Sequence, residues 1–271
     1  ITENYEMYIW DVDRYGHMGD YVLISSDTVS SGVGVWARIT RSVTVDLSDK
    51  IFPVGDKSIS VSRGWNLIAN PQVDTIDAYN LVISYNGQTY TLTAAIQEEL
   101  VHNGAYTYNG SGYSNDPLFI PWLGYWVKAY KPCDLIFPSN NVLTATDISA
   151  SATIPLKQLA VEIMVENDKG ESEDVMLVAA DGDHRFVDLS KAPEVPGQTL
   201  KMSALKPGGE FSVCQQAYSP EKREWTLRMD ASQAGNINIK LKEQENPSAE
   251  QYYYYLTDTV HQKTYSLKDE Q

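Results

Sequence analysis

The chain has 271 residues, of which 21 are basic and 36 acidic, so its formal net charge is −15 at pH 7. It contains no basic stripe that could neutralise phosphates, which excludes nucleic acid and disfavours an anionic membrane surface as partners. The length allows two or three domains, and no apolar run approaches the roughly 20 residues of a membrane helix.

The first 58 residues read as part of a repeated module. An aromatic segment at residues 8–15 is followed by a Gly-x-Trp-x-Arg motif at residues 34–38 and then by an apolar stretch at residues 43–47. Because the chain starts at Ile1 and not at methionine, and because this copy lacks the front section of the next one, we expect a partial first module of a processed or excised chain.

Residues 59–140 carry a second, fuller copy of the same pattern. The aromatic segment recurs at residues 106–113, and Gly-Tyr-Trp-Val-Lys at residues 124–128 matches the first Gly-x-Trp motif. A repeat built from aromatics, glycines and extended segments predicts repeated β-structure and not a single catalytic cleft.

The front of the second copy contains clear local signals. Gly-Trp-Asn-Leu-Ile-Ala-Asn-Pro at residues 64–71 predicts a short strand closed by an Asn-Pro turn. Asn86-Gly87 predicts a two-residue hairpin, since a type I′ turn needs positive φ at both central positions. Residues 93–100, rich in Ala, Gln and Glu, predict the one short helix.

Residues 141–152 lack large aromatics and are rich in Ser, Thr and Ala, which indicates a linker. Beyond the linker, residues 153–271 alternate short apolar segments with turn signals about every ten residues. This spacing predicts an immunoglobulin-like β-sandwich. The expected strands are 159–165, 175–180, 200–205, 211–217, 225–229, 237–241, 252–256 and 264–267. The predicted fold class is therefore mainly β: tandem aromatic-repeat modules with one short helix, then a sandwich.

The motifs at residues 64–71 and 124–128 together resemble a module of large secreted multidomain bacterial proteins. In those proteins a Gly-Trp-Asn-Leu-Ile-Gly-Asn-Pro signature opens a compact β-rich unit and a Gly-Tyr-Trp signature closes it. The tail, with Asp188 and the Leu-Thr-Asp of residues 256–258, is similar to hook-capping and sorting-type immunoglobulin-like domains. The resemblance implies export and display on a secreted or surface protein, and it implies no reaction.

The aromatic residues allow two interpretations. Trp36 and Trp126 occupy equivalent repeat positions, which favours core packing for these two rings, as for Trp65. Exposed rings near turns could instead stack on sugars. The candidates for such a platform, and hence for polysaccharide as a partner, are Trp10, Tyr15, Tyr113 and Trp122.

Catalytic and metal-binding patterns are weak. The spacing of Asp11, Asp13 and Asp20 is similar to that of ligands in a calcium-binding loop. However, Tyr15 and Val22 occupy two positions where such a loop has ligands, so we expect a polar hairpin turn. Asp181, Asp183 and Asp188 likewise read as part of a solvated turn. The four histidines lack metal-ligand spacing, and no nucleophile elbow or phosphate loop is present. We therefore expect no enzyme, no cofactor and no metal site.

Two further features bear on partners. Four consecutive tyrosines fall on a predicted strand, so alternate rings face opposite sides and two of them could form an interface; they are Tyr252, Tyr253, Tyr254 and Tyr255. Cys133 and Cys214 are either two unpaired buried thiols or one disulfide.

The sequence as a whole favours a non-catalytic, extracellular or cell-surface protein that serves as an adhesion, scaffold or fibre-forming segment. Its partners would be further copies of itself or neighbouring domains of a longer chain. The alternative is a carbohydrate-binding accessory region of a secreted polysaccharide-degrading enzyme.

Overall fold

The computed structural model describes residues 5–14, 19–24, 29–39, 55–108, 113–139, 158–180, 189–194, 198–207, 209–217, 224–243 and 253–267. The chain separates into two compact units, Ile1–Ser149 and Ala150–Gln271. Strands dominate both units, so the mainly β prediction is confirmed. No helix in the described part of the chain is long and apolar enough to cross a membrane. The predicted strand at 43–47 and the predicted linker at 141–152 lie outside the described residues.

The first repeat contributes one three-stranded antiparallel sheet. Its strands are β1 (Tyr5–Asp11), β2 (Asp20–Leu23) and β3 (Trp36–Ile39), in the order β2-β1-β3. Trp10 is opposite Tyr21 across the hairpin, and Tyr8 is opposite Trp36 on the other edge of β1. Because side chains alternate along a strand, Tyr8 and Trp10 share one face of this sheet.

The second repeat is built from two larger sheets, a two-stranded pair and a short helix. Its strands are β4 (Lys57–Val61), β5 (Gly64–Ala69), β6 (Ile76–Asp77), β7 (Val82–Tyr85), β8 (Gln88–Thr91), β9 (Val101–Tyr108), β10 (Tyr113–Asn115), β11 (Leu118–Phe119), β12 (Gly124–Ala129) and β13 (Cys133–Phe137). The sheet orders are β10-β9-β12-β5 and β4-β13-β7-β8, with β11 beside β6.

Local turn chemistry fixes several of these elements. The predicted hairpin is confirmed, since β7 pairs with β8 around Asn86 and Gly87, whose φ angles are 50° and 77°. The predicted helix exists as α1 (Leu92–Gln97), and it is shorter than expected because Glu99, at φ 51°, has left the helical region. The Thr91 side chain caps it by accepting a hydrogen bond from the Ala94 amide.

The two asparagines of the Gly-Trp-Asn-Leu-Ile-Ala-Asn-Pro motif are buried and hydrogen-bond to the backbone. The Asn66 side chain accepts a hydrogen bond from the Ser62 amide and donates to the carbonyls of Ser62 and Gly64. The Asn70 amide group donates to the carbonyl of Phe119 at 2.6 Å. Each asparagine thus satisfies buried backbone groups where the chain turns, which explains why amides occupy these two positions.

Among the described residues, the buried apolar core of the second repeat consists of residues of that repeat alone. A buried apolar cluster joins one face of the β10-β9-β12-β5 sheet to the β4-β13-β7-β8 sheet, and its largest rings are Phe119, Tyr125 and Phe137. The other face of the β10-β9-β12-β5 sheet carries Trp126, Tyr108 and Tyr106, which point away from this cluster. That face is where the first repeat packs.

The second unit consists of nine described strands; eight of them overlap the predicted strands, and the two-residue strand at Leu189–Ser190 was not predicted. The strands are β14 (Gln158–Asn167), β15 (Ser172–Ala180), β16 (Leu189–Ser190), β17 (Leu200–Lys206), β18 (Gly209–Ala217), β19 (Thr226–Ala231), β20 (Ile237–Glu243), β21 (Tyr255–Asp258) and β22 (Lys263–Ser266). The main order is β19-β17-β18-β15-β14-β20, and β16 also pairs with β18.

One strand of the second unit changes partners along its length. Phe211 pairs with β17 and Val213 pairs with β15, while both residues also pair with β16. Strands β17 and β15 therefore occupy the same edge of β18 in succession, which divides the strands into two layers. The buried side chains of both layers form one apolar cluster. The unit is thus a β-sandwich, and its relation to the immunoglobulin-like family stays a prediction.

A buried ion pair ties this sandwich together. The Lys191 ammonium lies 2.5 Å from the Glu173 carboxylate, and it also donates to the carbonyl of Met202 at 2.7 Å. Glu173 accepts a second hydrogen bond from Gln198. Since the pair is almost fully enclosed, losing one partner would leave an uncompensated charge in the core.

Candidate interface between the two repeats

One face of the first sheet carries Tyr8 and three rings that contact rings of the second repeat: Trp10, Tyr21 and Trp36. The Trp10 ring contacts Tyr21 edge to face, with centroids 5.0 Å apart. Gly19, at φ 76°, lets the hairpin fold closely over this indole, because a Cβ at Gly19 would lie 2.1 Å from the Trp10 ring. We call Trp10, Tyr21 and Trp36 the first aromatic face.

The second repeat presents an equivalent set: Tyr108, Tyr113 and Trp126. Tyr108 lies across the hairpin from Tyr113, with ring centroids 5.5 Å apart. Trp126 is 1% exposed, and its indole N–H donates to the Tyr113 hydroxyl at 3.0 Å. We call Tyr108, Tyr113 and Trp126 the second aromatic face.

Backbone register establishes that the two faces are equivalent. Tyr8 pairs with Trp36 in the first sheet, and Tyr106 pairs with Trp126 in the second. The strand orders β2-β1-β3 and β10-β9-β12 match as well. Two residues beyond each tyrosine stand Trp10 and Tyr108, so these two residues correspond.

The rings of the two faces pack on each other with approximate two-fold symmetry. Trp10 of the first face meets Trp126 of the second at 5.1 Å, and the planes are nearly perpendicular at 89°. The corresponding pair, Trp36 with Tyr108, meets at 5.3 Å and 66°. Exchanging the repeats converts one contact into the other, which is the signature of an isologous interface.

Backbone contacts join the repeats beside these rings. The Gly34 amide donates to the Leu67 carbonyl at 3.2 Å, and the Ala69 amide donates to the Gly32 carbonyl at 2.9 Å. This approach requires glycine, because a Cβ at Gly34 would lie 2.7 Å from the carbonyl oxygen of Ile68. Residues 32–34 thereby cover the edge of β5 that β12 leaves open.

A second polar and aromatic cluster adjoins the interface on β9 and β12. The two ring nitrogens of His102 lie 3.2 Å from the hydroxyls of Tyr106 and Tyr130. Burial, together with the charge of Lys128, lowers the pKa of His102 from 6.5 to about 4. Burial also lowers the pKa of Lys128, whose ammonium lies 5.7 Å from the Trp65 ring centre. His102 is therefore neutral at neutral pH.

The structure distributes the predicted sugar-platform residues over different environments. Trp10 and Tyr113 belong to the packed interface described above. Trp122 is 71% exposed. Tyr15 lies outside the described residues. The three that are described therefore do not form one exposed row.

Tyr21 is the residue that sequence comparison missed. Alignment of the repeats matches Tyr15 with Tyr113, but the strand register places Tyr21 opposite Trp10, as Tyr113 is opposite Tyr108. The first hairpin spans residues 12–19 where the second spans 109–112. A longer connection moves the matching tyrosine further along the chain, and only strand alternation on both sides of the loop could have indicated it.

Trp122 stands in an unusual turn. The Leu123 amide donates to the Ile120 carbonyl, and Trp122 is the third residue of that turn with a φ of 71°. The Tyr125 hydroxyl holds the preceding segment by accepting from the Ile120 amide and donating to the Leu118 carbonyl, both at 2.8 Å. A bulky residue in the left-handed region is strained, so Trp122 occupies a conformation that glycine would adopt more easily.

The first repeat has glycine at the matching position. Gly32 lies two residues before Gly34, just as Trp122 lies two residues before Gly124, and its φ is 86°. The turn around it closes in the same way, with the Val33 amide donating to the Ser30 carbonyl. The backbone shape is thus common to both repeats, while the exposed indole belongs to the second repeat alone.

The remaining candidates occupy separate places. Asp11 accepts hydrogen bonds from the Asp13 amide and the Arg14 side chain, and no cluster of possible metal ligands occurs in the described part of the chain. Asp181, Asp183 and Asp188 lie outside the described residues. Cys133 and Cys214 are both buried thiols, one in each unit, and neither belongs to a disulfide in this structure. Burial, with nearby Asp134, raises the pKa of Cys133 to about 11.

The tyrosine run of the second unit alternates as the strand pattern predicts. Tyr253 and Tyr255 are mostly exposed, and Tyr254 packs against the sandwich core. Tyr252 lies outside the described residues. Strand β21 itself starts at Tyr255, and its hairpin partner is β22.

A scan of protein-family models, a search of curated proteins and a search of solved structures each found no match to this chain. The resemblance to modules of secreted bacterial proteins therefore stays a prediction. The two repeats provide the most direct comparison for this site, because their strands can be matched residue by residue.

Proposed function

We propose that this chain is a non-catalytic structural segment of an extracellular or cell-surface assembly, and that it works by packing β-modules against one another. The observation that supports this most directly is the isologous contact of the two aromatic faces. Trp10 and Tyr113, two of the rings that could have formed a ligand platform, are used instead to join one repeat to the next.

The character of the contact also supports a structural role. Aromatic pairs in edge-to-face geometry contribute about 0.5 to 1.5 kcal/mol each beyond the burial of their area. Two such pairs, with two backbone hydrogen bonds beside them, fix the orientation of adjacent modules. A protein that must transmit or resist force in an assembly needs such fixed junctions.

Display outside the cell is the context that the sequence resemblance implies. Adhesion, scaffolding or fibre formation would then involve further copies of the chain or neighbouring modules. Exposed strand edges and aromatic patches are the usual means, because an unpaired edge can accept another strand. Tyr253 and Tyr255 in the second unit are candidates for such a surface.

The test is to compare self-association with polysaccharide binding. We expect the purified chain, at tens of micromolar, to form oligomers or filaments in sedimentation and light scattering. Because each chain carries a charge of −15, association should strengthen as salt screens the repulsion. A chain that stays monomeric at every salt concentration would contradict the proposal.

Carbohydrate binding is the second candidate, and Trp122 is the observation in its favour. Its indole is exposed, and the strained backbone is retained where the other repeat uses glycine. Retention on cellulose, xylan or chitin that is lost in Trp122→Ala would support this candidate. The matched control is Tyr79→Ala, which removes another exposed ring of the same repeat.

A further inference from the structure

The interface between the repeats is built from the same positions on both sides. Each repeat contributes the tryptophan of its Gly-x-Trp strand and the aromatic residue two positions after its paired tyrosine. A face that meets an equivalent of itself across a two-fold axis is self-complementary. It follows that the partner of one aromatic face need not be the other repeat of the same chain.

We propose that the second aromatic face also binds the second aromatic face of another copy of this chain, with Trp126 of each chain packing on Tyr108 of the other. This inference rests on the proposed function, since it names the partner through which modules would join different chains. The occupant is thus a second copy of the same protein, held by the same ring contacts that now act within one chain.

The ring combination required between chains already exists in the structure. A homotypic pair would contain two contacts between a Trp126 and a Tyr108. The Trp36 and Tyr108 contact is the same combination of residues at matching positions, with centroids 5.3 Å apart. In the pair between chains, Tyr108 of the second chain takes the place of Trp10. Trp126 of the second chain takes the place of Trp36, so that position is still a tryptophan.

Charge also favours this pairing over other ways of joining two chains. Strands β9, β10 and β12 contain no acidic residue, and their only basic groups are His102 and Lys128. On the first sheet, Glu6 shares the aromatic face with Arg38 opposite it, while Asp11 and Asp20 alternate to the other face. Two copies of a chain with a net charge of −15 can thus meet at the second face without bringing carboxylates together.

Competition within the chain sets the conditions for the contact. The first repeat is covalently attached, so its effective concentration at the second face is high, in the millimolar range. In the intact chain, the contact between the two repeats of one chain is therefore more populated than the contact between chains at ordinary protein concentrations. Pairing between chains should emerge when the first aromatic face is removed and the second face is left bare.

The test uses the full-length chain with Trp10→Ala and Trp36→Ala combined. We expect this double variant to dimerise at least about tenfold more tightly than the wild type in sedimentation equilibrium. Adding Tyr108→Ala should return it to a monomer. Circular dichroism verifies that strand content is preserved in each variant.

A second variant also exposes the second aromatic face, and it does so without removing an aromatic ring. Gly34→Val should displace the first repeat, because its Cβ would lie 2.7 Å from the Ile68 carbonyl oxygen. We expect Gly34→Val to dimerise and the added Tyr108→Ala to abolish the dimer. Folded variants that remain monomeric, or dimers that persist after Tyr108→Ala, would overturn the inference.

These results separate the inference from the proposed function. Self-association of the wild-type chain with rising salt tests the structural role as a whole. Dependence of the variants' dimer on Tyr108 tests the second aromatic face alone. A wild-type chain that never associates, with variants that dimerise through Tyr108, would retain the self-complementary face and reject the assembly role.

Discussion

The two repeats share strand order, pairing register and ring positions, yet they differ sharply in burial. In β12 the residues Tyr125, Trp126 and Val127 are all buried, whereas in β3 the residues after the half-buried Trp36 are exposed. The second repeat has a further sheet and a helix behind its strands. The comparison teaches that the repeat motif specifies a local three-stranded arrangement, while a core requires the elements that only the second copy contributes.

The largest expected difference between the repeats concerns their equivalent tryptophans. Trp126→Ala should lower the free energy of unfolding of the first unit by about 3 to 5 kcal/mol, because it leaves a cavity and removes the hydrogen bond to the Tyr113 hydroxyl. Trp36→Ala should cost about 1 to 2 kcal/mol, since this ring is only half buried. Urea denaturation followed by fluorescence measures both. Equal losses of unfolding free energy in the two variants would contradict the difference in burial between the repeats.

The next effect is a pH dependence located in the second repeat. The pKa of His102 is lowered from 6.5 to about 4, so between these values the unfolded chain binds a proton that the folded chain does not. This contribution to stability is therefore fully present above pH 6.5 and is lost as the pH drops toward 4, by on the order of 3 kcal/mol in all.

The check is urea denaturation of the first unit at pH 7 and at pH 5. His102→Gln, which keeps a neutral hydrogen-bonding side chain between Tyr106 and Tyr130, should lose most of this pH dependence. An unchanged slope in that variant would show that other groups are responsible.

A smaller effect tests the two-fold relation of the faces. Double-mutant cycles on Trp10 with Trp126, and on Trp36 with Tyr108, should each give a coupling energy of about 0.5 to 1.5 kcal/mol. Replacement by leucine keeps the sites apolar. The control cycle pairs Trp36 with the exposed Tyr79, and its coupling should be close to zero. Coupling in one aromatic pair without the other would refute the symmetry.

The smallest expected effect concerns the turn that precedes each Gly-x-Trp strand. Trp122→Gly should stabilise the first unit by up to about 1 kcal/mol, because glycine adopts positive φ without strain. Gly32→Ala should destabilise it by about 1 kcal/mol, since its φ of 86° disfavours any side chain. Thermal unfolding of both variants provides the comparison. Changes of the same sign would contradict a shared backbone conformation.

The sequence predicted many local elements because their causes are local. Strand alternation located the strands of both units, and the positive φ needed by a type I′ turn located the hairpin at Asn86 and Gly87. The helix was predicted to end three residues too late, because residue preference does not reveal that Glu99 leaves the helical region. The match of Trp36 with Trp126 followed from spacing to the nearby glycines and is reproduced by the register.

The tertiary structure, and not the local sequence, determined which surfaces of the repeats contact each other. Trp10 and Tyr113 were candidates for a sugar platform, and their packing depends on strands that are distant in sequence. The part played by Tyr21 was hidden by a longer hairpin, and the change of partner along β18 depends on three other strands at once. Alternation and turn preferences arise between near neighbours and can be read directly from the chain. Which face is covered, and by which strand, is fixed by contacts between distant residues, whose energies no local pattern encodes.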